Sequence, residues 1–160
     1  VLSGIFSEGK DHYPAGWYMR NPPDSAHQPS SSVGAMIFVK LRQMDQGEHA
    51  HVRLDTNDSD NWHKVASGEE CPLFSNAHEK VMLRRLLPHS PVSMDAVTGG
   101  AEILVLSGML HEKRVMWPAG SWLRFPSGDR PELMSGDTST LIYLKTGHLE
   151  HDAYTGLNHE

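Results

Sequence analysis

Eleven histidines and twenty acidic residues stand in 160 residues, yet only two groupings have a spacing that chemistry could use directly. In His49-Ala-His51-Val-Arg-Leu-Asp55, alternation along a strand would put both imidazoles on one face, with a carboxylate four residues on. That set is of the right kind for a divalent ion, which takes three or four deprotonated N/O ligands at ~2.0–2.2 Å. The second grouping is His148, Glu150 and His151 with the tail His159-Glu160, where a solvated terminal run is the plainer reading. Cys71 is the sole thiol. It follows Glu69-Glu70 and precedes Pro72, read as a loop whose negative charge disfavours a reactive thiolate. Trp62, Trp117, Trp122, Tyr143 and the methionines at 82, 94, 109, 116 and 134 could line a ligand cavity, although core packing is their commoner use.

What must position such residues is bounded by composition. Lysine plus arginine is 14 against 20 acidic residues, a net charge of -6 with no basic stripe, so nucleic acid is not an expected partner. Fourteen glycines and ten prolines punctuate the chain, which suits short strands joined by turns. One cysteine rules out an internal disulfide and fits a reducing, cytoplasmic setting. The longest apolar run, Ile103 to Leu110, is broken by Ser107 and Gly108, far short of the ~20 residues needed to span a bilayer.

An internal repeat organises the rest. Residues 1–33 lie on 105–137 at a constant offset of 104, with 11 identities in 33 positions. Chance would give about two. Val1-Leu-Ser-Gly4 matches Val105-Leu-Ser-Gly108, Pro14-Ala-Gly16 matches Pro118-Ala-Gly120, and Glu8, Arg20, Pro22 and Ser31 match Glu112, Arg124, Pro126 and Ser135. After one inserted residue, Ile37-Phe-Val-Lys40 falls on Ile142-Tyr-Leu-Lys145. The expected division is therefore the C-terminal half of a first unit in 1–44, a complete second unit in 45–150 and a tail in 151–160. Because Val1 matches the middle of an apolar run, the chain reads as a fragment of a longer one. Strands are expected over 80–87, 101–106, 120–125 and 139–144, and Asp55 to Asp60 is a polar, turn-rich connector.

The string Tyr13-Pro-Ala-Gly-Trp-Tyr-Met-Arg-Asn-Pro22-Pro-Asp24-Ser-Ala-His27, followed by Ile37-Phe-Val-Lys-Leu-Arg-Gln-Met44, resembles the cupin domain of ChrR-type anti-sigma factors. Gly99-Gly-Ala-Glu-Ile-Leu-Val-Leu-Ser-Gly108 and Trp117-Pro-Ala-Gly-Ser-Trp-Leu-Arg124 resemble the same group. The resemblance implies an all-β fold, a cupin or RmlC-like jelly-roll barrel in tandem. It also implies a metal held by His-x-His-x-x-x-Glu and one further histidine. His27 matches that last position, with Asp24 where the motif has glycine, and the other three ligands would precede Val1. A loop histidine bonded to backbone is the alternative for His27. In the second copy the four ligand positions are Asp95, Val97, Ala101 and Pro131, so no metal is expected there. With Val97 and Ala101 at its mouth, that barrel would keep an apolar pocket or act as a structural partner. The repeat also moves the motif away from His49 and His51, which then read as polar edge-strand residues.

The function implied is regulatory rather than enzymatic: a metal-binding or small-ligand sensor in stress-responsive transcription control. Zinc is the first candidate metal, with iron, manganese or nickel as others. The implied partners are a sigma factor, if an inhibitory domain is attached, and a second copy in a homodimer; neither nucleic acid nor membrane is expected. The alternatives are a small metal-dependent dioxygenase of the β-diketone-cleaving type and a purely structural bicupin.

Overall fold

The computed structural model describes residues 1–41, 44, 47–94 and 98–149. Among them the regular structure is strand, apart from one short 3₁₀ turn at Ser59–Asn61. The chain divides into two compact units, one holding Val1–Ser59 and the other beginning at Asp60, inside the polar run read as a connector. In the first of these units β6 (Val52–Asp55) pairs antiparallel with β3 (Trp17–Arg20). Thr56 strengthens that attachment, donating through both its N–H and its hydroxyl to the Gly16 carbonyl.

The first unit is built on the hairpin β1 (Ser3–Glu8) and β2 (Asp11–Pro14). The short strands β4 (Pro29–Ser30) and β5 (Ala35–Met36) pair with β1. The second unit begins with β7 (His63–Val65), β8 (Gly68–Ser75), β9 (Lys80–Leu86) and β10 (Ala101–Ser107). It continues with β11 (Met109–Glu112), β12 (Val115–Pro118), β13 (Trp122–Phe125), β14 (Met134–Ser135) and β15 (Thr140–Thr146). A six-stranded sheet in the order β13-β10-β15-β9-β8-β7 faces a three-stranded sheet in the order β12-β11-β14. The core lies between them. Ala101, Ile103 and Val105 alternate inward from β10 and meet Leu86, Leu123, Ile142 and Leu144, with Leu110, Val92 and Leu133 closing the opposite side. Two antiparallel layers around one apolar core make this unit a jelly roll.

The expected strands over 80–87, 101–106 and 139–144 are present, and that over 120–125 begins at Trp122. Cys71 is a correction: it lies fully buried in β8 opposite Leu83, not in a loop. The strand tolerates Pro72 because β7 begins opposite Glu70, so Pro72 occupies an edge where no N–H is needed. Trp117, Met82 and Met94 pack on the core as expected, whereas Trp122 and Met116 are exposed.

The sequence repeat is also a repeat of backbone register. Ile5↔Pro14, Phe6↔Tyr13, Ser7↔His12 and Glu8↔Asp11 in the first hairpin correspond, pair for pair, to Met109↔Pro118, Leu110↔Trp117, His111↔Met116 and Glu112↔Val115. Ser7↔Ser30 likewise corresponds to His111↔Met134. The glycine of the repeated Leu-Ser-Gly has a steric cause. Gly4 and Gly108 sit at φ 72° and 75°, and a Cβ would come within 2.0 Å of the Gly34 carbonyl oxygen or 2.6 Å of Thr140 Oγ1.

Candidate functional site

The segment carrying His27 is shaped by a turn that both copies keep. Ser25 N–H donates to the Pro22 carbonyl at 3.2 Å, and Asp129 N–H donates to the Pro126 carbonyl at 3.2 Å. The third residue of each turn has positive φ: 62° at Asp24 and 88° at Gly128. That is the conformation of a type II turn with proline ahead of it, and asparagine and aspartate are among the few non-glycine residues that enter it readily. Asp24 therefore replaces the motif glycine without changing the turn.

Beyond the turn, His27 is exposed and lines a cleft of about 330 Å³ with Glu8, Gly9, Asn21, Ser25, Ala26, Gln28, His51 and Arg53. His51, read from sequence as a plain edge-strand residue, thus shares a cleft with His27. It directly precedes β6, whose ladder has β3 as partner. His49 is exposed, and Asp55 accepts a hydrogen bond from Asn57 N–H at 2.9 Å.

The wall of the cleft is organised by Arg53, which sequence reasoning missed. Its five N–H groups reach Tyr13 Oη at 3.2 Å, the carbonyls of Arg20 and Val52 at 3.2 and 2.8 Å, Asn21 Oδ1 at 2.6 Å and Glu8 Oε2 at 2.7 Å. Burial alone would lower the Arg53 pKa, but the bonds to Tyr13 and Glu8 hold the guanidinium above its ordinary value. The guanidinium also lies 5.5 Å from the Tyr13 ring centre, and Tyr13 meets Trp17 edge to face. The available sequence signal was Glu8, an identity of the repeat that faces a strand end and calls for a partner.

As a metal site the described residues are incomplete. Glu8 is committed to Arg53 and Asn21, which leaves two imidazoles at the cleft. Among the described residues no three of His, Cys, Asp and Glu converge. That donor set does not by itself fit a divalent ion.

The second copy has a cleft at the duplicate place, about 400 Å³, lined by Pro91, Val92, His111, Lys113, Pro131, Glu132, Leu133 and Met134. Gly9, His27 and Gln28 of the first cleft correspond at the offset of 104 to Lys113, Pro131 and Glu132 here. Ala101 is fully buried in the core instead of at a mouth, and Asp95 and Val97 lie outside the described residues. The His148 side chain is 8% exposed, with Nε2 3.2 Å from Glu102 Oε2, so its place is an internal contact. Glu150, His151, His159 and Glu160 lie outside the described residues. Cys71 is held protonated by burial, with nearby Arg85 opposing weakly.

A repeated hairpin and Pro-turn on an antiparallel jelly roll define a cupin, RmlC-like fold. More narrowly, residues 1–45 match the ChrR Cupin-like domain family. Among solved structures, the chain is similar to Rhodobacter sphaeroides SigE in complex with the anti-sigma ChrR, at 15% identity and TM-score 0.48, covering 53% of this chain and 48% of that one. It is similar to a Ralstonia eutropha protein of unknown function with a cupin-like fold, at 18% identity and TM-score 0.43, covering 49% and 54%. A third is an acetylacetone dioxygenase from Acinetobacter johnsonii, at 14% identity and TM-score 0.48, covering 73% and 77%. The chain spans about half the length of the first two. A search of curated proteins finds no match. Among the described residues no helix is long and apolar enough to cross a membrane.

Proposed function

We propose that the chain belongs to a regulatory, non-enzymatic cupin protein with a binding first copy and a metal-free second copy. In this reading residues 1–44 are the rear half of a first cupin, and 45–150 are the second. His27 is one ligand of a divalent metal, zinc in the first instance, and the other donors come from chain preceding Val1. The observation that carries the reading is the shared turn: the same backbone presents His27 in one copy and Pro131, which can donate nothing to a metal, in the other. The match of residues 1–45 to the ChrR Cupin-like domain supports a sensing role in the cytoplasm, with a sigma factor as partner where an inhibitory domain is attached. Equilibrium dialysis of the full polypeptide against zinc tests it. About one equivalent that disappears in His27→Ala is expected, and one equivalent retained by that variant contradicts it.

A further inference from the structure

One stretch of the first copy keeps the sequence of a strand without being one. Ile37-Phe-Val-Lys40 matches Ile142-Tyr-Leu-Lys145, which lies inside β15, whereas residues 37–40 belong to no strand. The ladder starts alike in both copies, since Ser3↔Met36 in the first corresponds to Ser107↔Leu141 in the second. Beyond that point the copies part. β15 is held from both sides, by β10 as far as Ala101↔Thr146 and by β9 from Thr140↔Leu86 to Thr146↔Lys80. At the offset of 104, counterparts of β9 and of residues 101–104 would stand ahead of Val1, and among the described residues β5 pairs with β1 alone.

The side chains carry the same difference. Ile142 and Leu144 are core residues, 0% and 2% exposed, while Ile37 and Val39 are 40% and 51% exposed. Two β-branched side chains beside a backbone with an unpaired side make the surface onto which an added strand docks. The second copy shows what occupies that place: β9 runs antiparallel to β15 and brings Leu86 and Met82 to the core that Ile142 and Leu144 share. A second copy of the chain has no spare strand of this kind, because its β9 is already paired on both sides, by β8 and β15.

We propose, resting on the reading of residues 1–44 as the rear half of a cupin, that residues 36–40 are a docking edge for one antiparallel strand of the β9 kind. The occupant is a segment of the same polypeptide ahead of Val1, whose apolar side chains cover Ile37 and Val39. The test is amide hydrogen exchange and inter-strand nuclear Overhauser contacts on the full polypeptide, beside the 160-residue chain, both in EDTA. Amides of 37–40 should be protected about 100-fold more in the full polypeptide, with Overhauser contacts from 37–39 to residues ahead of Val1. Val39→Asp in the full polypeptide should remove that protection and leave the amides of β9 and β15 unchanged. Equal exchange in the two chains, protection kept in Val39→Asp, or contacts that arise between molecules in a mixed-isotope sample would each overturn the proposal. The last result would give the edge to a second copy. Because EDTA removes the metal from these measurements, zinc binding through His27 and strand docking at 36–40 can fail separately.

Discussion

Arg53 Nη2 donates to Glu8 Oε2 at 2.7 Å across 45 residues of chain, joining the end of β1 to β6. The same side chain binds Asn21, the residue before the turn that carries His27. A single guanidinium therefore holds three separate segments around one cleft. Because Glu8 is only 11% exposed, removing the arginine would leave a carboxylate with little water to replace it.

Arg53→Met should accordingly destabilise the first unit by about 2–3 kcal/mol, and Arg53→Lys by nearly as much, because an ammonium cannot bridge five acceptors. Trp17 fluorescence during urea unfolding, in a background with Trp62, Trp117 and Trp122 changed to Phe, reads this unit. No change in its midpoint would show that the network is dispensable.

The turn at Asp24 and Gly128 makes an asymmetric prediction. Gly128 has open space where a Cβ would stand, so Gly128→Ala should cost only the conformational penalty, about 1–2 kcal/mol. Asp24→Gly should be neutral within about 0.5 kcal/mol, since glycine relieves the positive φ but loosens the unfolded chain. Chemical denaturation of both variants checks this, and equal effects would argue against a shared turn.

In the second unit, Lys145 Nζ lies 2.5 Å from Glu79 Oε2, with both side chains almost completely buried. Lys145→Met alone should cost about 3–5 kcal/mol by stranding a buried carboxylate, and adding Glu79→Gln should recover much of that loss. A double variant no better than the single one would show that the pair does not act as a unit.

Cys71 links structure to pH. Its thiol pKa is raised by burial, so the folded state holds the proton more tightly than the unfolded one. The corresponding stability is complete below the unfolded thiol pKa and is lost as pH rises through the folded value. Unfolding midpoints should fall on the alkaline side, and Cys71→Ser should flatten that fall. Rapid alkylation of the native protein at neutral pH would contradict the buried thiol.

How far the sequence was legible depended on which force acted. The strands β9, β10 and β15 announced themselves through apolar runs because burial on a pleated sheet selects such residues. The offset of 104 anticipated the ladder register, since a duplicated hairpin keeps its turn geometry. β8 was missed, and its tolerance of Pro72 depends on where the neighbouring strand begins, a tertiary fact. Arg53 and His51 were obscured for a similar reason: their partners lie up to 45 residues away, and local spacing suggested a different chemistry. An apolar pocket was expected at Val97 and Ala101, but the core claims the Ala101 side chain, and the cleft of this copy lies instead beside Pro91, Pro131 and Met134.

The central claim is that one backbone serves a binding copy and a metal-free copy. Cobalt(II) substitution of the full polypeptide tests it most directly, because cobalt ligand-field absorption reports the donors themselves. One equivalent of cobalt is expected, with a spectrum lost in His27→Ala and unaffected by Pro131→Ala. An unchanged spectrum in His27→Ala, or one altered by Pro131→Ala, would contradict the account.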